Sequence, residues 1–247
     1  MSGTLLYVTD VSPYAPGPGR EAPMLRMAGA HGVLGQSAIA VAELAKAAGL
    51  RFEHAACVAE IAPGALERAR VLALFTIGDT PWTAPQRASI AGRLRSGELA
   101  LFTLHSAADS ASSWDEFGRL LGARFDGHPW TQRFAIKVTD GDHPATRHLP
   151  ADWQFTDEVY LFRELREDAR VLLRARGDDL DLSSPGGRRP EIGFPLAWCF
   201  SEGRGRVFYT ALGHFPSAYE DVRFLGHLYG GLEWTLAAAP AVEALTE

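Results

Sequence analysis

The first half of the chain alternates short apolar runs with amphipathic stretches, and this alternation restricts the fold more than any other feature. The apolar runs, which predict buried strands, lie at 5–9, 51–58, 70–75 and 98–104. Strands that alternate with helices form a parallel sheet, because each helix returns the chain to the edge where the previous strand began. The sequence therefore predicts an α/β fold with a mostly parallel sheet and helices on both faces. Further short strands in the second half, which extend that sheet or fold over it, are predicted at 133–139, 157–163, 170–176, 192–201 and 205–212.

Nothing in the 247 residues divides the chain, so we expect a single domain over 1–247. The polar loop 177–190 is too short to separate two domains, whereas the loop 10–34 is long enough to suggest a function. Capping boxes are predicted to open three helices, and they start at Thr83, Ser113 and Ser217. Two adjacent glycines in the last helix, Gly230 and Gly231, are expected to permit close packing on the sheet.

The charge balance argues against nucleic-acid binding. The chain has 24 Lys and Arg against 30 Asp and Glu, a net charge of −6, and such a surface repels phosphate backbones. No apolar run approaches the ~18 residues of a membrane span, and the first residues do not resemble a signal peptide. Cys57 and Cys199 lack metal-ligand spacing, which favours two buried thiols in a cytoplasmic protein over a single disulfide bridge.

Two histidines directly follow predicted strands. His105 comes after the apolar run 98–104, and His214 comes just after the strand 205–212. Ligands of open parallel sheets bind beyond the carboxyl ends of the strands, so the two imidazoles are expected to meet at one edge. The long loop, which carries His31, leaves the first strand at the same edge. An imidazole pKa of about 6.5 suits proton transfer near neutral pH.

Seven segments in the chain occur in the order of a known family. They are Leu101-Phe-Thr-Leu-His-Ser-Ala-Ala-Asp109, Trp114-Asp-Glu-Phe117, Gly122-Ala-Arg-Phe-Asp-Gly-His-Pro129, Asp142-His-Pro-Ala-Thr-Arg-His148, Asp157-Glu-Val-Tyr160, Pro195-Leu-Ala-Trp198 and Gly205-Arg-Val-Phe-Tyr-Thr-Ala-Leu-Gly-His214. Over residues 70–236 the series resembles the trehalose-utilisation (ThuA-like) family. This resemblance implies a flavodoxin-like fold, similar to class I glutamine amidotransferases, and a role in sugar metabolism.

The chain also departs from the family pattern. Family members usually carry a Gly-rich turn and Gly-Ile before the histidine, where this chain has 96–98 and 103–104. The usual Arg-His near the first strand is replaced by the segment 31–35. These departures leave the substrate open and suggest a ligand other than trehalose. Glutamine hydrolysis is not expected, because the position of the required thiolate holds His105.

Four residues are candidates for catalysis: His105, His214, Asp109 and Glu158. Asp109, four residues past His105, is placed either to orient the imidazole or to cap a helix. Asp157 and Glu158 are neighbours on a predicted strand and so point to opposite faces, and Glu158 is the one favoured for the site. A serine hydrolase with Ser106 as its nucleophile is disfavoured, since the small residues that flank the serine of a nucleophile elbow are missing.

Candidates for substrate binding are His31, His128, His143, Asp157 and Trp198. The resemblance places His128 and His143 near the pocket, although each precedes a proline and would equally suit a turn. Trp198 could stack on a sugar, but a core position explains a tryptophan inside a strand well. Histidines and carboxylates together are compatible with a divalent metal, although no short-spaced pair of histidines supports one.

Two functions remain. The first is an enzyme that acts on a small-molecule sugar or keto-sugar by acid–base chemistry, through isomerisation, elimination or hydrolysis. The second is a non-catalytic module that binds a sugar or a protein and has lost the nucleophile of its fold. The oligomeric state is left open, with a homo-oligomer as one option. No cofactor is predicted from the sequence, and a divalent metal is left as an option.

Overall fold

A computed structural model describes residues 3–13, 30–129, 131–184 and 186–237 of the chain. Most of its strands belong to one sheet of nine strands, and two short strands form a separate pair. In chain order the strands are β1 (Thr4–Val8), β2 (Arg51–Ala55), β3 (Ala69–Leu74), β4 (Ala100–Leu104), β5 (Arg124–Phe125), β6 (Thr131–Val138), β7 (Asp152–Glu158), β8 (Phe162–Arg163), β9 (Arg170–Ala175), β10 (Pro195–Glu202) and β11 (Gly205–Thr210).

The large sheet has the order β2-β1-β3-β4-β11-β10-β9-β6-β7. Its first five strands in this order are parallel, and the other four continue it in antiparallel fashion. Four of the parallel strands, β1, β3, β4 and β11, are almost completely buried, as expected for a sheet that is covered on both faces. The fifth, β2, lies at the edge of the sheet and is partly exposed. The predicted α/β fold is confirmed, and the later strands extend the sheet.

The α-helices of the described residues are α1 (Leu34–Ala47), α2 (Ala65–Arg68), α3 (Ala84–Ser96), α4 (Phe117–Leu121) and α5 (Val222–Leu236). The chain moves from β1 to β2 in one direction along the sheet and from β3 to β4 in the other. Right-handed crossovers therefore place α1 and α3 on opposite faces. Helix α5 contacts α1 and covers β4 and β11. None of these helices has the length and apolar character needed to cross a membrane.

One of the three predicted capping boxes is confirmed. The Thr83 hydroxyl accepts the N–H of Gln86, and the Gln86 side chain accepts the N–H of Thr83 in return. The box at Ser217 is wrong, because α5 begins later and is capped by the Asp221 carboxylate. The box at Ser113 is also wrong, since α4 begins at 117 and the Glu116 carboxylate binds arginines instead.

The strand predicted at 157–163 lies earlier in the chain. The observed strand β7 ends at Glu158 and pairs with β6 in a register that places Phe155 opposite Phe134. Its inward side chains, Trp153, Phe155 and Asp157, alternate with exposed neighbours. The predicted strand merges two elements, because the apolar run after 158 resembles a continuation of β7. Residues 159–161 form a loop instead, and β8 pairs with β5 outside the large sheet.

The two adjacent glycines of α5 do permit close packing. A Cβ atom on Gly231 would meet the ring of Phe208 in the sheet, as predicted. A Cβ on Gly230 would instead overlap the carbonyl oxygen of Pro144, in the loop between β6 and β7. The helix therefore packs against the sheet on one side and against this loop on the other.

We expect Gly230→Ala to destabilise the fold by about 1–3 kcal/mol, because the added methyl group would push a helix away from rigid main chain. Gly92 offers a matched control, since it lies exposed in α3 with open space around its Cα. Gly92→Ala should stabilise the protein by about 0.5–1 kcal/mol through helix propensity. Urea unfolding curves measure both, and equal effects would contradict the packing described here.

Candidate functional site

The candidate site lies at the carboxyl ends of two neighbouring parallel strands. Strands β4 and β11 pair in a register that places Leu104 beside Thr210. His105 directly follows β4, and His214 follows β11 after a short turn. The two imidazoles meet there, with Nε2 of His105 3.2 Å from Nδ1 of His214. The predicted convergence of these histidines is confirmed.

The ring of His105 is buried and held in one orientation. The side chain is 1% exposed, and its Nδ1 lies 2.6 Å from the carbonyl oxygen of Ala211. Because a carbonyl oxygen only accepts, Nδ1 carries a hydrogen and donates it. His105 has a left-handed φ of 46°, which costs a residue other than glycine about 1–3 kcal/mol. The hydroxyl of Tyr209 donates to the His105 carbonyl oxygen at 2.8 Å and helps to hold this turn.

Glu158 joins the two imidazoles to form a cluster of three residues, His105, Glu158 and His214, and Tyr160 borders this cluster. The Oε2 atom of Glu158 lies 3.4 Å from both His105 Nε2 and His214 Nδ1. The hydroxyl of Tyr160 is 3.0 Å from the same Nε2. Nε2 of His128 lies 3.8 Å from the other Glu158 oxygen, and its ring stacks on Tyr160. Side-chain exposure rises from 14% for Glu158 to 17% for His214 and 39% for His128, so the cluster opens toward His128.

Asp157 supports the cluster from inside. Its carboxylate is completely buried and accepts the main-chain N–H groups of Gly213 at 2.7 Å and His214 at 3.2 Å. It also accepts the N–H of Glu158 at 2.9 Å. The two neighbouring carboxylates therefore point in different directions, with Glu158 in the cluster and Asp157 beneath it. Asp157 touches the main chain of the turn and presents no surface to a substrate.

The electrostatics favour a charged pair in the cluster. Burial disfavours the charged form of His105, but its hydrogen bond to Glu158 and the charges of Asp157 and Glu158 outweigh burial and raise the pKa of His105. Burial would raise the pKa of Glu158 as well, yet the hydrogen bond to His105 and the charges of the three nearby imidazoles lower that pKa to about 2. Burial lowers the pKa of His214. Burial also raises the pKa of Asp157, to about 6.

The remaining predicted catalytic residue, Asp109, takes a different place. It ends the 3₁₀ turn His105–Asp109, and its main-chain oxygen accepts the N–H of Gly78. The Nδ1 atom of His105 is held by the carbonyl of Ala211. His31 lies in the 3₁₀ turn Ala30–Val33, and its side chain falls outside the described part of the structure.

Two predicted substrate-binding residues are core residues. Trp198 is completely buried, donates its indole N–H to the Leu121 carbonyl at 2.7 Å and stacks on Tyr209, so no face of the ring is free for a sugar. His143 is 1% exposed and packs against Cys199 and Trp234. Burial lowers the pKa of His143 to about 4, which keeps it neutral. Both cysteines are free, and Cys57 is half-buried.

Sequence reasoning missed Tyr160 and Ala211. Tyr160 was present in a segment of the family resemblance, two residues after Glu158, but nothing in its type or spacing indicated a bond to His105. Ala211 acts through its main chain, so its side chain carries no signal.

The cluster could also hold a metal ion. The ligand atoms of His105, Glu158 and His214 all lie within 4.8 Å of one another. Among the described residues, this is the one group of three or more His, Cys, Asp or Glu side chains with that property.

Comparison with known proteins identifies the family. The sequence profile described as trehalose utilisation (ThuA) matches residues 26–235 of this chain. The chain belongs to the ThuA family. No relative was found among curated protein sequences.

Solved structures of ThuA-like proteins share the fold. A ThuA-like protein from Bacteroides uniformis has 18% sequence identity and a TM-score of 0.73, and the alignment covers 95% of this chain and 91% of that one. A ThuA-like protein from Parabacteroides merdae has 16% identity and a TM-score of 0.70, with 96% and 91% covered. A cytoplasmic protein from Salmonella typhimurium has 11% identity and a TM-score of 0.57, with 96% and 100% covered. At these identities the likeness shows the fold alone.

The core position of Trp198 in this ThuA family member can be tested. We expect Trp198→Phe to lower the free energy of unfolding by about 2–4 kcal/mol, because it leaves a cavity and removes the donor to the Leu121 carbonyl. Chemical denaturation measures this change. A loss below about 0.5 kcal/mol, the range of ordinary surface substitutions, would show that Trp198 is not the core residue described here.

Proposed function

We propose that this ThuA family member catalyses proton transfer on a sugar or keto-sugar at the cluster of His105, Glu158 and His214. The observation that carries the proposal is the meeting of two imidazoles and a carboxylate, from three separate parts of the chain, within 3.4 Å. Burying charged and polar groups is costly unless they pair, and an enzyme gains proton donors and acceptors in return. Perturbed ionisable groups of this kind concentrate at functional sites.

The exposure of each side chain suggests a division of roles. His214 and His128 border the open side of the cluster, so one of their imidazoles would take a proton from the carbon beside a substrate carbonyl. The negative oxygen that then develops would need hydrogen-bond donors, which the remaining imidazole and the Tyr160 hydroxyl supply. Proton removal beside a carbonyl is the common first step of sugar isomerisation and of elimination across a glycosidic bond.

The substrate class rests on the family. The matching family is described as trehalose utilisation, which supports a sugar and does not specify which one. Because the chain departs from the family pattern at 31–35, we infer a keto-sugar or a sugar other than trehalose as the ligand. A cytoplasmic location is part of this proposal, and it is supported by the two free cysteines and by the Salmonella neighbour that is described as a cytoplasmic protein.

A second candidate function is a sugar- or protein-binding module without catalysis. It is favoured by the burial of His105 at the end of β4. Because this side chain is only 1% exposed, it offers a substrate no accessible nucleophile. In addition, cavities of about 280 and 310 Å³ lie elsewhere, the first beside Arg133 and Asp221 and the second beside Arg70 and Arg204. A module of this kind would bind a ligand and release it unchanged.

We expect Glu158→Gln to lower turnover of a keto-sugar by about 100-fold or more, the usual contribution of acid–base catalysis. The change is nearly isosteric and removes the charge that pairs with both imidazoles. His105→Ala is a poorer test, because it would leave the buried Ala211 carbonyl without its donor at a cost of about 1–3 kcal/mol. Product formation by NMR across a panel of sugars and 3-keto-sugars measures turnover.

Glu43→Gln is the matched control, since Glu43 is 71% exposed on α1 and should leave turnover at the wild-type level. Equal turnover in wild type and Glu158→Gln would contradict the proposed mechanism. A sugar that raises the melting temperature of the wild-type protein and is never converted would identify the binding module instead.

A further inference from the structure

We infer that His105 Nε2, His214 Nδ1 and a Glu158 carboxylate oxygen bind one divalent transition-metal ion of the zinc type. The three ligand atoms form a nearly equilateral triangle with sides of 3.2, 3.4 and 3.4 Å. A tetrahedral zinc ion, with bonds of about 2.0–2.1 Å, separates its ligand atoms by about 1.6 bond lengths, or ~3.3–3.4 Å. The cluster already has the spacing of one face of that tetrahedron.

The orientation of the His105 ring supports this inference. Its Nδ1 donates a hydrogen to the Ala211 carbonyl. Once the ring gives up its second proton to become neutral, it presents a lone pair at Nε2, the atom that faces the cluster. Metal-binding histidines usually donate their other ring N–H to a main-chain carbonyl or a carboxylate in this way. Without an ion, hydrogen bonds are what hold His105 Nε2, His214 Nδ1 and the Glu158 oxygen this close together.

Asp157 holds the other two ligand residues, Glu158 and His214. The buried carboxylate of Asp157 accepts the main-chain N–H groups of both Glu158 and His214. Two of the three ligand residues are therefore fixed by one group that is itself outside the triangle. Such preorganisation favours a metal site, because its ligands do not have to be ordered when the ion binds.

The ligand set indicates the class of ion and the kind of site. Two imidazoles and one carboxylate suit zinc and its first-row neighbours, whereas calcium and magnesium prefer oxygen ligands throughout. Three protein ligands leave a fourth position for water or substrate, as in catalytic rather than structural zinc sites. The Tyr160 hydroxyl would then lose its hydrogen bond to Nε2 and could bond to the water or substrate in the fourth position. His128, outside the triangle, would remain available as a proton acceptor.

The inference goes beyond the proposed function and does not depend on it. With an ion bound, the metal would polarise the substrate carbonyl and take over the stabilisation of the negative oxygen. Metal binding can be measured with no substrate present. The two proposals can therefore fail separately.

The test uses the full chain after removal of metal with a chelator. Zn²⁺ binding is measured by calorimetry, and Co²⁺ binding by the visible absorption bands of a four-coordinate ion. We expect one ion per chain in the wild type. We also expect binding to weaken in His214→Gln and Glu158→Gln by more than the roughly 10–100-fold that loss of an outer-shell partner costs. His148→Gln is the matched control, because this histidine is exposed and contacts Arg223, and its binding should equal that of the wild type.

Circular dichroism of the metal-free proteins shows that each variant is folded before binding is compared. The inference is overturned if the wild type binds no stoichiometric ion, or if His214→Gln and Glu158→Gln bind it as tightly as the control does. Turnover by metal-free wild type that does not bind an ion would overturn the metal site and leave the proposed function standing. A bound ion in a protein that converts no sugar would overturn the proposed function and leave the metal site standing.

Discussion

A single buried carboxylate connects the two halves of this protein at its candidate site. Asp157 belongs to β7, the last strand in the order of the sheet, yet it accepts the N–H groups of Gly213 and His214, which follow a strand from the parallel half. The end of β7 therefore folds back over the carboxyl edge of β11. Burial raises the pKa of Asp157 to about 6, so its ionised form is costly, and the main-chain N–H groups partly offset that cost. The position of Glu158 in the cluster follows directly from this contact.

The sequence predicted those parts of the site that depend on local pattern. Both strands before His105 and His214 are short apolar runs in an alternating α/β sequence, and parallel strands end at the same edge. The alternation rule also separated Asp157 from Glu158 without any structure. These arguments work because a strand fixes where its last residue lies and which way each neighbour points.

The contacts that the sequence did not predict are long-range or involve the main chain. An almost completely buried strand such as β10 carries apolar residues on both faces, so its pattern does not say whether Trp198 faces the site or the core. His143 was assigned to the pocket by family resemblance, which orders residues along the chain but does not show which element covers them. The bond from Tyr160 to His105 depends on where the loop after β7 crosses the sheet. That crossing is set by tertiary contacts such as those of Asp157.

The turn after β4 encloses His105 and leaves its neighbours more exposed than its own ring. The left-handed backbone and the bonds to Ala211 and Tyr209 hold this ring in a buried place, where a substrate atom has almost no access. A residue so enclosed can orient, donate or ligate, but it cannot attack. Glu158 and His214 touch the same ring and are more exposed, so a substrate or an ion would reach His105 only through them.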